Sequence, residues 1–152
     1  MTTPTIRLAV PEDLAAVEAV VQAAYAGYIP RLGQKPGPMS DDYSALIEMR
    51  SVHVLVGEGR ILGVLVLIPE PDTMLLDNVA VGPDAQGRGY GRLLIAFAES
   101  LAIERGVKAV RLYTNEAMSE NIRLYGRLGF VETHRAQEKG FRRVYMTKPL
   151  VS

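Results

Sequence analysis

Apolar positions change their period several times along this chain, and the changes divide it into elements. Ile6 to Val10 is a short strand candidate, followed by Pro11, Glu12 and Asp13, a proline and two carboxylates of the kind that suit a first helical turn. Leu14, Val17, Val21 and Tyr25 then recur at helical spacing. From Gly27 to Pro38 the pattern dissolves into glycine and proline, too irregular for regular structure and too short for a linker between domains. Ser40 is placed to cap a second short helix carrying Leu46, Ile47 and Met49. Beyond it His53 to Val56, Ile61 to Ile68 and Thr73 to Val81 read as strands, punctuated by Glu58-Gly59 and by Pro69-Glu70-Pro71-Asp72, and predict an antiparallel meander. Helical spacing returns over Gly89 to Arg105, where Leu93, Leu94, Phe97, Ala98 and Leu101 share a face; the stripe Leu93, Phe97 and Leu101 is assigned to the core, and Gly106 ends the helix. A strand at Lys108 to Tyr113, a helix from Ser119 to Leu128 closed by Gly129, and two strands around Lys139-Gly140 complete the chain. The order β, α, α, β, β, β, α, β, α, β, β predicts a mixed α/β (α+β) fold, a mixed sheet with helices on its faces.

Composition narrows the function classes. At 152 residues and 48% apolar, the chain has material for one core and is expected to be a single domain over residues 1–152. Its 17 basic and 17 acidic side chains cancel, so no excess positive charge is present to grip a nucleic-acid backbone, and no nucleic-acid partner is expected. The absence of cysteine removes disulfides, thiolate metal sites and a cysteine nucleophile. No segment approaches the roughly 20 apolar residues of a membrane helix, and Met1 to Val10 lacks the pattern of a signal peptide, so a soluble cytoplasmic protein without a membrane partner is the expectation. His53 and His134 lack companions at metal-ligand spacing and read as strand residues; no metal is implied.

The segment that carries chemistry runs from Asn78 to Arg92, where a strand ends, a turn containing Gly87, Gly89 and Gly91 follows, and a long amphipathic helix begins. Amides at a helix N-terminus lack internal acceptors and sit at the positive end of the helix dipole, so a phosphate is a natural occupant. Glycines remove the Cβ atoms that would hold it away, and Arg88 and Arg92 can add charge-assisted contacts. Gly82 and Gly87 have the gap of a P-loop, but Arg88 and Gly89 stand where its lysine and hydroxyl belong. A dinucleotide fingerprint fails as well, because Gly91 falls one position too early and Arg92 stands where the third glycine belongs.

Gln86-Gly87-Arg88-Gly89-Tyr90-Gly91 matches Gln/Arg-x-x-Gly-x-Gly/Ala, and the chain here resembles the GCN5-related N-acetyltransferases (GNAT). Val79-Ala80-Val81 and Pro83-Asp84 are similar to that family's fourth strand and its exit, and Asn121 to Phe130 is similar to its later motif ending in Tyr-x-x-x-Gly-Phe. The resemblance extends from Ile6 to about Leu150 and implies a central, mostly antiparallel mixed sheet of about seven strands with splayed central strands, flanked by about four helices. It further implies acetyl-coenzyme A as acyl donor, with Gln86, Gly87, Arg88, Gly89, Tyr90, Gly91 and Arg92 around its pyrophosphate and the main chain of Val79, Ala80 and Val81 along its pantetheine arm. In this picture the thioester lies between the strands ending at Val81 and Tyr113, facing an amine of a small molecule or protein.

The same resemblance makes Tyr125 the candidate acid for the departing thiolate and a coenzyme contact. A phenol of ordinary pKa about 10 protonates a thiolate of about 8.5 at modest cost. Its bland alternative is an aromatic ring packed on the helix. The base is open between Asp77 and an ordered water, and Asp77 and Asn78 have the alternative of bonding locally. Met118 stands where the family has an asparagine before the tyrosine, so Asn115 or Asn121 takes over that coenzyme contact. Tyr25, Tyr28, Arg31 and Lys35 fall in the helix and loop that border the acceptor in this family, and with Asn78 they are the candidate substrate residues, solvated loop charge being the other reading for Arg31 and Lys35. A catalytically silent acetyl-coenzyme A sensor is the competing function, and a homodimer is compatible with the sequence.

Overall fold

The computed structural model describes residues 3–150. Seven strands are formed: β1 (Thr5–Leu8), β2 (Val52–Gly57), β3 (Arg60–Pro69), β4 (Thr73–Val81), β5 (Ala109–Asn115), β6 (Val131–Glu138) and β7 (Phe141–Pro149). The α-helices are α1 (Leu14–Tyr25), α2 (Ile29–Leu32), α3 (Tyr43–Glu48), α4 (Tyr90–Arg105) and α5 (Ser119–Arg127). The strands hydrogen-bond in the order β1-β2-β3-β4-β5-β7-β6. β1 with β2, β2 with β3, β5 with β7 and β6 with β7 are antiparallel, whereas β4 and β5 are parallel. The parallel pair follows from the connection, since α4 is the crossover that two parallel neighbours require. Its register runs from Thr73↔Ala109 to Leu75↔Arg111, and both strands continue beyond that last rung, β4 to Val81 and β5 to Asn115.

The described chain falls into two compact units, one of residues 3–67 with 78–97 and the other of 68–77 with 98–150. In the first, Val17 and Val21 of α1, Ile47 of α3 and Leu94 and Ile95 of α4 are buried together with β2 and β3. Leu62 and Val64 to Leu67 are all at most 3% exposed, so this stretch of β3 is covered on both faces, as its unbroken apolar run requires. In the second, Met74, Leu75, Leu76, Ala98, Ala102, Val110, Leu112, Phe130, Val144 and Met146 form the core. β6 is polar and solvent-facing over almost its whole length, the composition of an edge strand protected from further pairing.

Three expectations are corrected. The cap of α3 is Asp42, whose Oδ1 accepts from the Ala45 amide at 3.1 Å, and Ser40 ends a preceding 3₁₀ turn. The stretch from Gly27 to Pro38 holds the single-turn helix α2, stopped at Gly33 in the left-handed region (φ +71°). The buried stripe of α4 is Leu94, Ile95, Ala98 and Ala102, while Leu93 is 40% exposed and Phe97 and Leu101 are only partly covered. So many positions of α4 are apolar that periodicity does not single out one face, and the neighbouring strands decide it. Among the described residues no helix is long and apolar enough to cross a membrane.

Candidate functional site

In the first unit β4 runs out at Val81, turns through Gly82 and a 3₁₀ turn at Pro83–Ala85, and enters α4 at Tyr90. The Gly82 amide bonds to Leu62 O (3.0 Å), and Gln86 folds back so that its Nε2 donates to Val81 O at 3.1 Å. The loop is thereby closed on the strand it leaves. Gly87 and Gly89 have φ of +83° and +82°, a region that strains any residue with a Cβ, and a Cβ at either would point into open space. Among the described residues no main-chain bond outside the regular elements is donated by the amides of Gly87, Arg88 or Gly89. Tyr90 and Gly91 follow as the first helical residues, whose amides have no intrahelical acceptor. An unobstructed loop rich in unspent donors at the positive end of a 16-residue helix has the donor set a diphosphate requires.

Arg88 lies beside this loop, donating to Glu58 at 3.2 Å and toward Asp84 O at 3.5 Å. A hydrogen bond with Tyr90, then Glu58, holds its guanidinium above the usual arginine value. Arg60 bridges Asp84 at 2.8 Å, so the rim carries alternating charge. Arg92 is exposed on the first turn of α4.

The side chains expected to meet the acceptor are organised by one buried asparagine. Asn78, 3% exposed, accepts from the Tyr25 hydroxyl at 2.5 Å and donates through Nδ2 to the Tyr43 hydroxyl at 3.0 Å. Tyr43 in turn donates to Pro38 O at 2.6 Å, and Tyr25 also reaches Val79 O at 3.2 Å. The network ties α1, the loop before α3 and β4 to one another. Tyr28 sits against Tyr25, ring centres 6.3 Å apart, and Arg31 lies over the Tyr28 ring at 5.2 Å. Lys35 is exposed.

In the second unit Asp77 is half-buried near the end of its part of β4. Tyr113 donates to its Oδ1 at 3.3 Å, and the Arg143 guanidinium lies over the Tyr113 ring, 4.3 Å from the centroid. Burial raises the Asp77 carboxyl above its ordinary value, and the Tyr113 hydroxyl and Arg143 charge oppose the rise only in part. A carboxylate so placed holds a proton more firmly than a solvated one, as a base near neutrality must. Tyr125 is buried on α5, its ring edge-on to Phe130 with centroids 5.8 Å apart. Asn115 uses Oδ1 to accept from the Ala117 amide at 2.8 Å, and Asn121 Nδ2 points at Met118 Sδ, 3.8 Å away.

His53 is a buried strand residue against Phe97, and His134 an exposed one stacked on Tyr145, as their strand positions suggest. Among the described residues no cluster of three or more His, Cys, Asp or Glu side chains is arranged to hold a metal ion. Sequence reasoning did not single out Tyr43, Arg143, or the grouping of Glu116, Arg135 and Arg142. The only linear signal was the density of arginine around the hairpin turn at Lys139-Gly140.

The model of the acetyltransferase (GNAT) family matches residues 18–130, a span that includes the glycine loop, Asp77, Tyr113 and Tyr125. A mycothiol acetyltransferase of Tsukamurella paurometabola is 30% identical over 137 residues, covering 82% of this chain and 47% of that protein. One of Rhodococcus opacus is 46% identical over 56 residues, covering 37% of this chain and 18% of that protein. The chain thus spans about half the length, or less, of these curated relatives. Among solved structures, the ribosomal-protein-S18-alanine N-acetyltransferase from Escherichia coli superposes with a TM-score of 0.81 at 23% identity, covering 99% of this chain and 96% of that one. The PaiA N-acetyltransferase from Thermoplasma acidophilum, in complex with coenzyme A, gives 0.80 at 18% identity over 97% and 99% of the two chains. With the family model matched over residues 18–130, well over half of its length, this chain belongs to the acetyltransferase (GNAT) family.

Proposed function

We propose that this chain transfers the acetyl group of acetyl-coenzyme A to a primary amine, as a single acetyltransferase domain. The observation that carries the reading is the loop from Gln86 to Gly91, in which positive-φ Gly87 and Gly89 have nothing within 4 Å of where a Cβ would stand and, among the described residues, the amides of Gly87, Arg88 and Gly89 donate no main-chain bond outside the regular elements. Acetyl-coenzyme A supplies an acetyl group activated as a thioester. Gly87, Arg88, Gly89, Tyr90 and Gly91 hold its diphosphate through amides, Gln86 keeps the loop closed from behind, and Arg88 and Arg92 add charge at the rim. The main chain of Val79, Ala80 and Val81 aligns the pantetheine arm.

Asp77 takes the proton from the acceptor ammonium, directly or through a water. A lysine-type amine costs about 4–5 kcal/mol to deprotonate at pH 7, against about 1–1.5 for an α-amine. A carboxylate whose proton affinity burial has raised lowers that barrier more than a solvated one does. The freed amine bonds to the acetyl carbon as the carbon–sulfur bond breaks, Tyr125 gives its hydroxyl proton to the leaving thiolate, and the proton shed by the new amide nitrogen restores the phenol. Tyr28 and Arg31 border the acceptor, and Tyr25 and Asn78 fix the segment that carries them.

Small molecules are the first acceptors to test, because the curated relatives are mycothiol acetyltransferases. Calorimetric titration with acetyl-coenzyme A, followed by thiol release across a panel of amines, tests the reading. Saturable binding and amine-dependent thiol release are expected. Absence of saturable binding to the folded chain refutes it, and binding without release from any amine leaves the sensor as the function.

A further inference from the structure

One face of the sheet in the second unit carries a row of polar and aromatic side chains. Tyr113 of β5 pairs in register with Tyr145 of β7, which pairs with His134 of β6, and cross-strand partners share a face. Arg143, two residues before Tyr145, stands on that face as well. Leu75 of β4 pairs with Arg111, and Asp77 and Tyr113 follow two residues further along their strands, so Asp77 belongs to the same face. The opposite face, with Val110, Leu112, Val144 and Met146, is core. All of these residues lie in the second unit.

Contacts along this face lead from β6 to Asp77. His134 stacks on Tyr145 with ring centres 4.3 Å apart, and Glu138 accepts from the Tyr145 hydroxyl. Tyr145 also bonds to the Arg143 guanidinium, and its ring lies 5.6 Å from that of Tyr113. Arg143 covers the Tyr113 ring at 4.3 Å from the centroid, inside the roughly 6 Å over which a cation is attracted to a π face. At the end of the series the Tyr113 hydroxyl donates to Asp77 Oδ1 at 3.3 Å. An O–H···O bond is ordinarily about 2.5–3.0 Å long and weakens steeply as its angle closes, so this one depends on whatever holds the ring. Burial is the larger influence on the Asp77 carboxyl and raises it, while the Tyr113 hydroxyl and the Arg143 charge both favour the ionised form. The other charged groups of this face are paired elsewhere, Arg111 with Glu70 at 2.6 Å and Glu138 with Tyr145.

We infer that Arg143 is a positioning residue for Asp77: anchored by Tyr145, it holds the Tyr113 ring so that the Tyr113 hydroxyl stays on the carboxylate, and so keeps Asp77 ready to accept a proton. The inference rests on the acetyltransferase reading, in which Asp77 is the base, and deepens it. Tyr113 keeps its own proton throughout and only donates a hydrogen bond, while the proton that Asp77 takes comes from the acceptor ammonium. Arg143 touches neither, and acts through the ring it covers.

The test follows one carboxyl in two ways: its side-chain carbon resonance against pH, assigned by its loss in Asp77→Asn, and the acid limb of kcat/KM for thiol release. Tyr113→Phe and Arg143→Gln are each expected to raise the Asp77 midpoint by about half a unit to one unit, because each removes a partner of the ionised form, and the acid limb is expected to move with it. The double variant is expected to shift by less than the sum of the two, since Tyr113→Phe has already removed the hydroxyl through which Arg143 acts. Arg143→Lys, which keeps a charge near the ring, is expected to restore part of the wild-type midpoint. Melting and coenzyme A titration check that each variant is folded. Midpoints unchanged in both single variants overturn the inference, as do fully additive shifts, in which Arg143 would act through space alone. A midpoint that moves while the acid limb stays in place overturns it too, with the acetyltransferase reading left standing on thiol release. If no amine is acetylated, that reading fails by itself and the resonance decides: raised midpoints that fall short of additivity support the inference, and unchanged or additive ones overturn it.

Discussion

Replacing Gly89 by alanine separates what the glycine loop does for folding from what it does for the coenzyme. Gly89 has φ +82°, and its absent Cβ would meet nothing within 4 Å, so the cost to the free protein is backbone strain alone. That strain is about 1–2 kcal/mol, which lowers Tm by about 2–8 °C in a chain of this size. Gly106, after α4, is a matched control: φ +75°, again with nothing within 4 Å of an added Cβ. Gly106→Ala is expected to show a similar fall in Tm with coenzyme affinity unchanged. Gly89→Ala places a methyl group where the diphosphate meets the amides. Loss of one or two charge-assisted hydrogen bonds, at about 1.5–3 kcal/mol each, weakens binding at least about tenfold. Differential scanning calorimetry and isothermal titration with coenzyme A measure the two quantities on the same preparations. Equal affinity of Gly89→Ala and Gly106→Ala for coenzyme A would refute the reasoning, since the glycines would then serve only the turn.

Three further outcomes are expected. Tyr125→Phe removes one hydroxyl from a buried ring and should lower turnover about tenfold or more with coenzyme affinity retained; steady-state kinetics and titration check it, and unchanged turnover rejects Tyr125 as the acid. Asp77→Asn should abolish the acid limb of the pH–rate profile, because that limb reports the Asp77 carboxyl. The Asp77 pKa is raised on folding, so the native state binds more protons than the unfolded state between the two values; stability falls as pH rises through that window, and Asp77→Asn should melt higher than wild type at neutral pH but not at strongly acidic pH. Tyr25→Phe leaves Asn78 Oδ1 and Val79 O without the donor they share, costing about 1–3 kcal/mol, visible as a fall in Tm of several degrees.

Local chemistry explains what was legible along the chain. β7 and α5 are written in periods of two and 3.6 residues, and β3 and α4 in apolar runs of strand and helix length bounded by turn residues, signals that near neighbours impose on the backbone directly. The glycine turn was legible for the same reason, since Gly87 and Gly89 sit where the chain must turn through positive φ, a demand met within a few residues. The same locality makes Gln86-Gly87-Arg88-Gly89-Tyr90-Gly91 a contiguous signature of the family.

Tertiary structure decided everything that depends on residues distant in the chain. Nothing in the linear order pairs Asn78 with Tyr25 and Tyr43, 53 and 35 residues away, yet the fold joins them in one buried hydrogen-bond network. The face of α4 that is buried was likewise set by the sheet and not by its own period, leaving Leu93 at the surface. Asp77 became a candidate base on physical grounds only when Tyr113 and Arg143 were brought against it and water was withdrawn, because a proton affinity is a property of surroundings and not of residue type. The pairing of Glu116 with both Arg135 and Arg142 arises in the same way, from strands that bring together residues distant in the chain.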